Sequence, residues 1–111
     1  MKKFVALFVG TPGVGPDSMD PKAIAEGMAA WGKWMADHQA VIVDGGGPLS
    51  KTKKVSKAGV EDIRNQVGGY VIVTAESLDA AARLFEAHPH FMIFPGTGVE
   101  VMEVLPIPGS P

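Results

Sequence analysis

The sequence predicts an α+β fold of the ferredoxin-like kind, one antiparallel sheet with both helices on one face. Three observations lead there. Strand-like and helix-like runs alternate in the order β-α-β-β-α-β, the split βαβ arrangement. At 111 residues the chain fits a single domain, 1–111, with a real core but no room for two. Apolar residues make up 46% and charged residues 20%, a balance that folds rather than stays disordered.

The first strand is the β-branched and aromatic run Phe4 to Val9, closed by Gly10. A Gly/Pro loop, Thr11 to Met19, follows. Asp20-Pro21 then reads as a helix start, with Asp as cap for free amides and Pro at the first helical position. Ile24, Met28, Trp31 and Met35 recur at helical spacing, so the helix should run to about His38. Val41-Ile42-Val43 forms strand two, closed by Asp44 and the triple glycine Gly45 to Gly47. The polar, Lys-rich stretch Pro48 to Gln66 fits a short hairpin. Tyr70 to Ala75 is strand three. Ser77 caps a second helix whose apolar side is Leu78, Ala81, Ala82 and Phe85, and Pro89 should end it. Val99 to Leu105 is the last strand, stopped by Pro106 and Pro108.

A sheet covered on one face should alternate apolar and polar residues. These strands do not. Phe4, Ala6 and Phe8 point one way, and Val5, Leu7 and Val9 the other. Tyr70, Ile72 and Thr74 oppose Val71, Val73 and Ala75. Two helices can cover one face only, so the second is expected to meet the same face of another copy in a homodimer. The net charge of −2 argues against a nucleic-acid partner. With no cysteine, disulfide and thiolate-zinc chemistry are excluded. The run Phe4 to Val9 is far shorter than the roughly 20 residues that cross a bilayer. No membrane role is expected, and the cytoplasm is the expected setting.

Gly46-Gly47-Pro48-Leu49, Gly68-Gly69-Tyr70-Val71-Ile72-Val73 and Ala75-Glu76-Ser77-Leu78-Asp79-Ala80-Ala81 together resemble the YCII-related family. So does the ending His88-Pro89-His90-Phe91, Val99-Glu100-Val101 and Pro106-Ile107, and the likeness spans nearly all 111 residues. The resemblance implies a dimeric α+β barrel, in agreement with the two-faced strands. For some relatives it implies a small enzyme using a His–Asp pair, and one branch resembles a dehydrochlorinase. The family's helix-one histidine would fall near Ala30, which moves no proton. The Asp-Gly-Pro-Phe motif of a sister branch gives way to Gly59-Val60-Glu61-Asp62. That catalytic pair therefore does not carry over.

Several motifs invite a functional reading. Gly10-Thr11-Pro12-Gly13-Val14-Gly15 looks like the start of a phosphate-binding loop. Pro16-Asp17 stands where Lys and Ser/Thr would be needed, so a tight loop is the better reading. Gly45 through Ser50-Lys51-Thr52 fails likewise. Lys51, Lys53, Lys54 and Lys57 read as a solvated run or as guards of a sheet edge. Trp31 and Trp34 read as core packing rather than pocket lining.

The histidines need topology. If strand one runs up, helix one ends at the bottom with His38, apart from the others. His88 and His90 then lie at the top. The top also gathers Asp17, Asp44, Tyr70 and Glu100. This cluster is the candidate site. His88 is the expected acid/base, Asp44 or Glu100 its orienting carboxylate, and His90, Tyr70 and Asp17 the ligand contacts. Two histidines and a carboxylate also suit a metal, though no cofactor motif is complete and no cofactor is expected. Helix carbonyls and a carboxylate neighbour should raise the pKa of His88 above its ordinary value. The expected function is a small-molecule enzyme or ligand-binding protein of the YCII-related type. The alternative is a non-catalytic protein-interaction or regulatory module, favoured by a flat surface where the first favours a cavity.

Overall fold

The computed structural model describes residues 1–109. The strands are β1 Lys2–Val9, β2 Ile42–Pro48, β3 Thr52–Ser56, β4 Gly59–Ile63, β5 Val67–Ala75 and β6 Gly98–Glu103. The α-helices are α1 Pro21–Asp37, α2 Leu78–Arg83 and α3 Pro89–Met92, and a 3-10 turn spans Pro16–Ser18. β2, β5, β1 and β6 form one sheet in that order, with β5 antiparallel to β1 and β2, and β6 antiparallel to β1. This is the ferredoxin-like sheet expected from the sequence. The hairpin expected in the Lys-rich stretch is β3–β4, a separate two-stranded ribbon.

The covered face of the sheet carries Phe4, Ala6, Phe8, Val71, Val73 and Ala75, packed against Trp34, Ala81 and Phe85. Removing these apolar groups from water supplies most of the drive to fold. α1 begins as its residues dictate, with the Asp20 carboxylate accepting from Lys22 N at 3.0 Å and Pro21 at the first turn. Trp34 is anchored by its indole N–H, which donates to Leu84 O at 2.9 Å. Gly27 lets α1 approach the segment after α3, because a Cβ there would lie 2.5 Å from the Phe94 ring.

Two elements depart from the sequence reading. The triple glycine does not close β2. The strand continues to Pro48 through two irregularities in its pairing with β5, one on each side of Asp44. Gly46 has φ +64, and a Cβ there would strike the Tyr70 carbonyl. Asp44 accepts from Gly46 N at 2.8 Å and holds that bend. Pro89 does not merely stop a helix. α2 ends at Arg83, a left-handed Ala87 (φ 57) turns the backbone, and Pro89 opens α3. Proline suits that first helical position because it has no N–H to satisfy.

The uncovered sheet face holds Val5, Leu7 and Ile72, half-buried among one another, and the more exposed Met102. Val5 lies opposite both Ile72 and Met102 in register. No helix of the described residues is long and apolar enough to cross a membrane.

Candidate functional site

The loop after β1, the kinked part of β2, the start of β5 and the segment around α3 enclose a cavity of about 560 Å³ on the helix side of the sheet. Its walls are mostly apolar, with Phe8, Met28, Trp31, Met35, Leu49 and Phe94 among them. Glycines at 10, 15, 45, 47, 68, 69 and 96 let backbone line the rest. Thr11 and His90 bring polar side chains to the wall, whereas Tyr70 borders it through backbone, its side chain lying with Leu7 on the other sheet face. The Thr11 hydroxyl donates to Pro95 O at 2.7 Å and so ties the loop after β1 to the segment after α3.

His90 is held from both sides. A ring nitrogen, Nε2, sits 2.7 Å from Val9 O. A carbonyl only accepts, so Nε2 carries the proton there, and Nδ1 is the acceptor of the neutral ring. The backbone carbonyl of His90 accepts from Gly96 N at 3.0 Å. A Cβ at Gly96 would collide with the imidazole, so that glycine sets the ring's position. Phe8 packs against the ring at 5.4 Å and Trp31 at 6.0 Å, both edge-on.

His88 has a different environment. It is fully buried, with ring centroids at 4.6 Å from Trp31, 4.8 Å from Trp34 and 5.1 Å from Phe8. Its Nδ1 accepts from His90 N at 3.0 Å, which makes it the N-cap of α3 and leaves the proton on Nε2. That Nε2 has no hydrogen-bond partner among the described residues. Burial, then the neighbouring His90 and His38, push the His88 pKa down to about 4. The rise expected from the sequence is reversed. The helix carbonyls that were to raise it belong to an α2 that ends at Arg83, and no carboxylate is hydrogen-bonded to His88.

The short α2 also alters the expected separation of the histidines. His38 stacks on Trp34 at 4.4 Å, so His38 and His88 both pack on the same indole. His38 Nδ1 lies 2.7 Å from Trp34 O, a carbonyl near the end of α1 that also accepts from His38 N at 3.1 Å.

The other sequence candidates are scattered. Tyr70 borders the cavity with its backbone while its side chain turns to the other face, where its hydroxyl lies 3.4 Å from Asp44 Oδ2, so Asp44 meets a tyrosine rather than a histidine. Glu100 pairs in register with Leu7, on the sheet face away from the cavity. Asp17 sits exposed in the 3-10 turn outside the cavity lining. Among the described residues no group of three His, Asp or Glu side chains is placed to hold a metal. The structure thus gathers His90 and Thr11 at one cavity, with the Tyr70 side chain on the other sheet face. It does not pair His88 with Asp44 or Glu100.

Trp31, expected in the core, packs against it together with Met35, and both also line this cavity beside Met28. The signal for the site lay in the glycines. Gly10, Gly15, Gly45, Gly47, Gly68, Gly69 and Gly96 leave space where side chains would fill it.

No family model matches the sequence, and no curated protein matches it. Two solved structures are similar over nearly the whole length. One is 5-chloro-2-hydroxyhydroquinone dehydrochlorinase from Burkholderia phenoliruptrix AC1100, in complex with 2,5-dihydroxybenzoquinone. It has 19% identity and a TM-score of 0.57, and the match covers 90% of both proteins. The other is the At3g17210 protein from Arabidopsis thaliana, with 18% identity, a TM-score of 0.46 and 99% of both proteins covered. At such identities the likeness speaks of fold alone. The protein has an α+β fold with a ferredoxin-like antiparallel sheet, a fold it shares with the first of these structures.

Proposed function

We propose that this protein is a divergent YCII-related protein that binds a small, planar, largely apolar molecule in the cavity, with His90 Nδ1 accepting a hydrogen bond from a ligand hydroxyl. The observation that carries this reading is the cavity itself. Its volume of about 560 Å³ lies within the usual 300–1,000 Å³ for a small-molecule site, and its few polar groups stand on an apolar wall. Trp31 and Phe8 offer ring faces and edges for an aromatic ligand. The Val9 carbonyl fixes the His90 tautomer, so the ring offers its acceptor without reorganising. The same nitrogen suits the role of proton acceptor from an acidic hydroxyl, the step a small enzyme of this kind would need. His88 supports the site from behind, capping α3 and setting the direction of His90.

We also propose that the protein is a homodimer formed through the uncovered sheet face. The support is the apolar patch of Val5, Leu7, Ile72 and Met102, which no element among the described residues covers. Thermal-shift and calorimetric titration with monocyclic phenols and quinones, including 2,5-dihydroxybenzoquinone, tests the first proposal. Binding that is lost on lining the cavity with a bulkier residue (Gly69→Leu) is the expected result. Failure of every planar phenol and quinone to bind would overturn it. Light scattering tests the second, with a wild-type dimer and an Ile72→Asp monomer expected. A wild-type monomer at micromolar concentration would overturn it.

A further inference from the structure

The β3–β4 ribbon has no role in the cavity, and its physical situation is unusual. Both of its faces are exposed, with Val55 at 76% and Val60 at 64%. A two-stranded ribbon alone in water is marginal, and it holds together better when packed on something. Val55 and Val60 are directly opposite each other, and Lys53 and Asp62, two positions on, share their side of the ribbon. The pair Lys53–Asp62 closes at 2.6 Å, so the ribbon has an apolar centre with a polar end.

Charge singles out a partner. Residues 51–64 hold five cations (Lys51, Lys53, Lys54, Lys57 and Arg64) against Glu61 and Asp62. The rest of the sequence holds five cations against ten carboxylates. A basic ribbon on an acidic body is complementary to another copy of the same body.

Topology says where it would land. β2 and β6 are the two edges of the sheet. A two-fold axis running along the strands, with the uncovered faces together, sets the β2 edge of one copy beside the β6 edge of its partner. The ribbon leaves the sheet where β2 ends and β5 begins. Val9 pairs with Val67 and with Gly98, so the start of β6 lies at that same end. Glu100 stands there on the uncovered face, opposite Leu7.

We propose that the ribbon of one copy clasps the β6 edge of a second copy. The Val55–Val60 pair packs on that edge, and Lys53, on the same side of the ribbon, and Lys57 at its turn face Glu100 of the second copy. The clasp rests on the homodimer reading of the uncovered face.

The protein has no cysteine, so one introduced at an exposed site is a unique handle. A Val60→Cys variant is mixed with a Glu100→Cys variant and treated with a short bifunctional maleimide. The size of the unmodified protein is read in parallel by light scattering. The clasp predicts a covalent heterodimer between the two variants. Its yield should fall severalfold in 1 M salt or with Lys53→Glu and Lys57→Glu, because exposed charge pairs are then screened or reversed. A dimer by scattering that gives no such heterodimer overturns the clasp and leaves the dimer standing. A monomer by scattering overturns both.

Discussion

Two histidines two residues apart occupy opposite physical regimes. His88 is sealed among Trp31, Trp34, Phe8 and Phe85, with one nitrogen used as a helix cap and the other unpaired among the described residues. His90 stands on a cavity wall with its donor nitrogen tied to Val9 O. Nearness to a cleft in sequence therefore does not make a residue chemical. Burial makes charging His88 costly, so it is a structural group, and Pro89 swings the next side chain out to where a ligand can meet it.

The contrast breaks most visibly by emptying the nest. His88→Ala removes a ring from close-packed aromatics and an N-cap together. We expect a loss of about 4 kcal/mol in urea unfolding, by analogy with large-to-small core changes. A loss under about 1 kcal/mol would mean that the nest is not packed as described.

A second consequence of the burial is in pH. The folded pKa of His88 is about 4, below its ordinary 6.5. Between those values the unfolded state takes up a proton that the folded state refuses. Stability is therefore full above about pH 6.5, declines as pH falls, and levels off below about pH 4. The total is roughly 3 kcal/mol at 1.36 kcal/mol per pKa unit. His88→Asn keeps a cap for α3 but does not titrate, so stability measured against pH should lose this slope. An unchanged slope in that variant would assign it to other groups.

Gly96→Ala tests the cavity side. Its methyl would collide with the His90 ring, so the ring must move. We expect about 2 kcal/mol of destabilisation, as for overpacking elsewhere, with weaker ligand binding in calorimetry. Wild-type stability and binding would show that His90 has room to spare. His90→Phe should be milder still for folding. It removes one partly buried hydrogen bond and keeps the ring volume. Folding should lose about 1 kcal/mol, and phenol affinity should fall roughly tenfold.

Much of the fold was legible because local chemistry and the global answer agree. Asp20-Pro21 and Ser77 start helices, and the alternation of Phe4, Ala6 and Phe8 with Val5, Leu7 and Val9 gives the two faces. The site was only half legible. His90 lines the cavity, but Tyr70 turns its side chain to the other sheet face, Asp44 turns to Tyr70 and to its own bulge, and Glu100 faces away as Tyr70 does. Period-two alternation places Glu100 correctly once the register is known. The bulges around Asp44 come from backbone pairing with β5, which a linear sequence does not display. The end of α2 was hidden for a related reason. Leu84 and Phe85 continue a helical pattern, and only the left-handed Ala87 shows that the backbone has already turned.

The proposed function stands or falls on whether His90, and not His88, meets the ligand. Long-range proton–nitrogen NMR of the three imidazoles during titration with a monocyclic phenol decides between them. His90 Nδ1 should shift strongly on saturation, while His88 keeps its Nε2–H tautomer and scarcely moves. A saturating ligand that leaves His90 unmoved, or that moves His88 instead, would contradict the assignment.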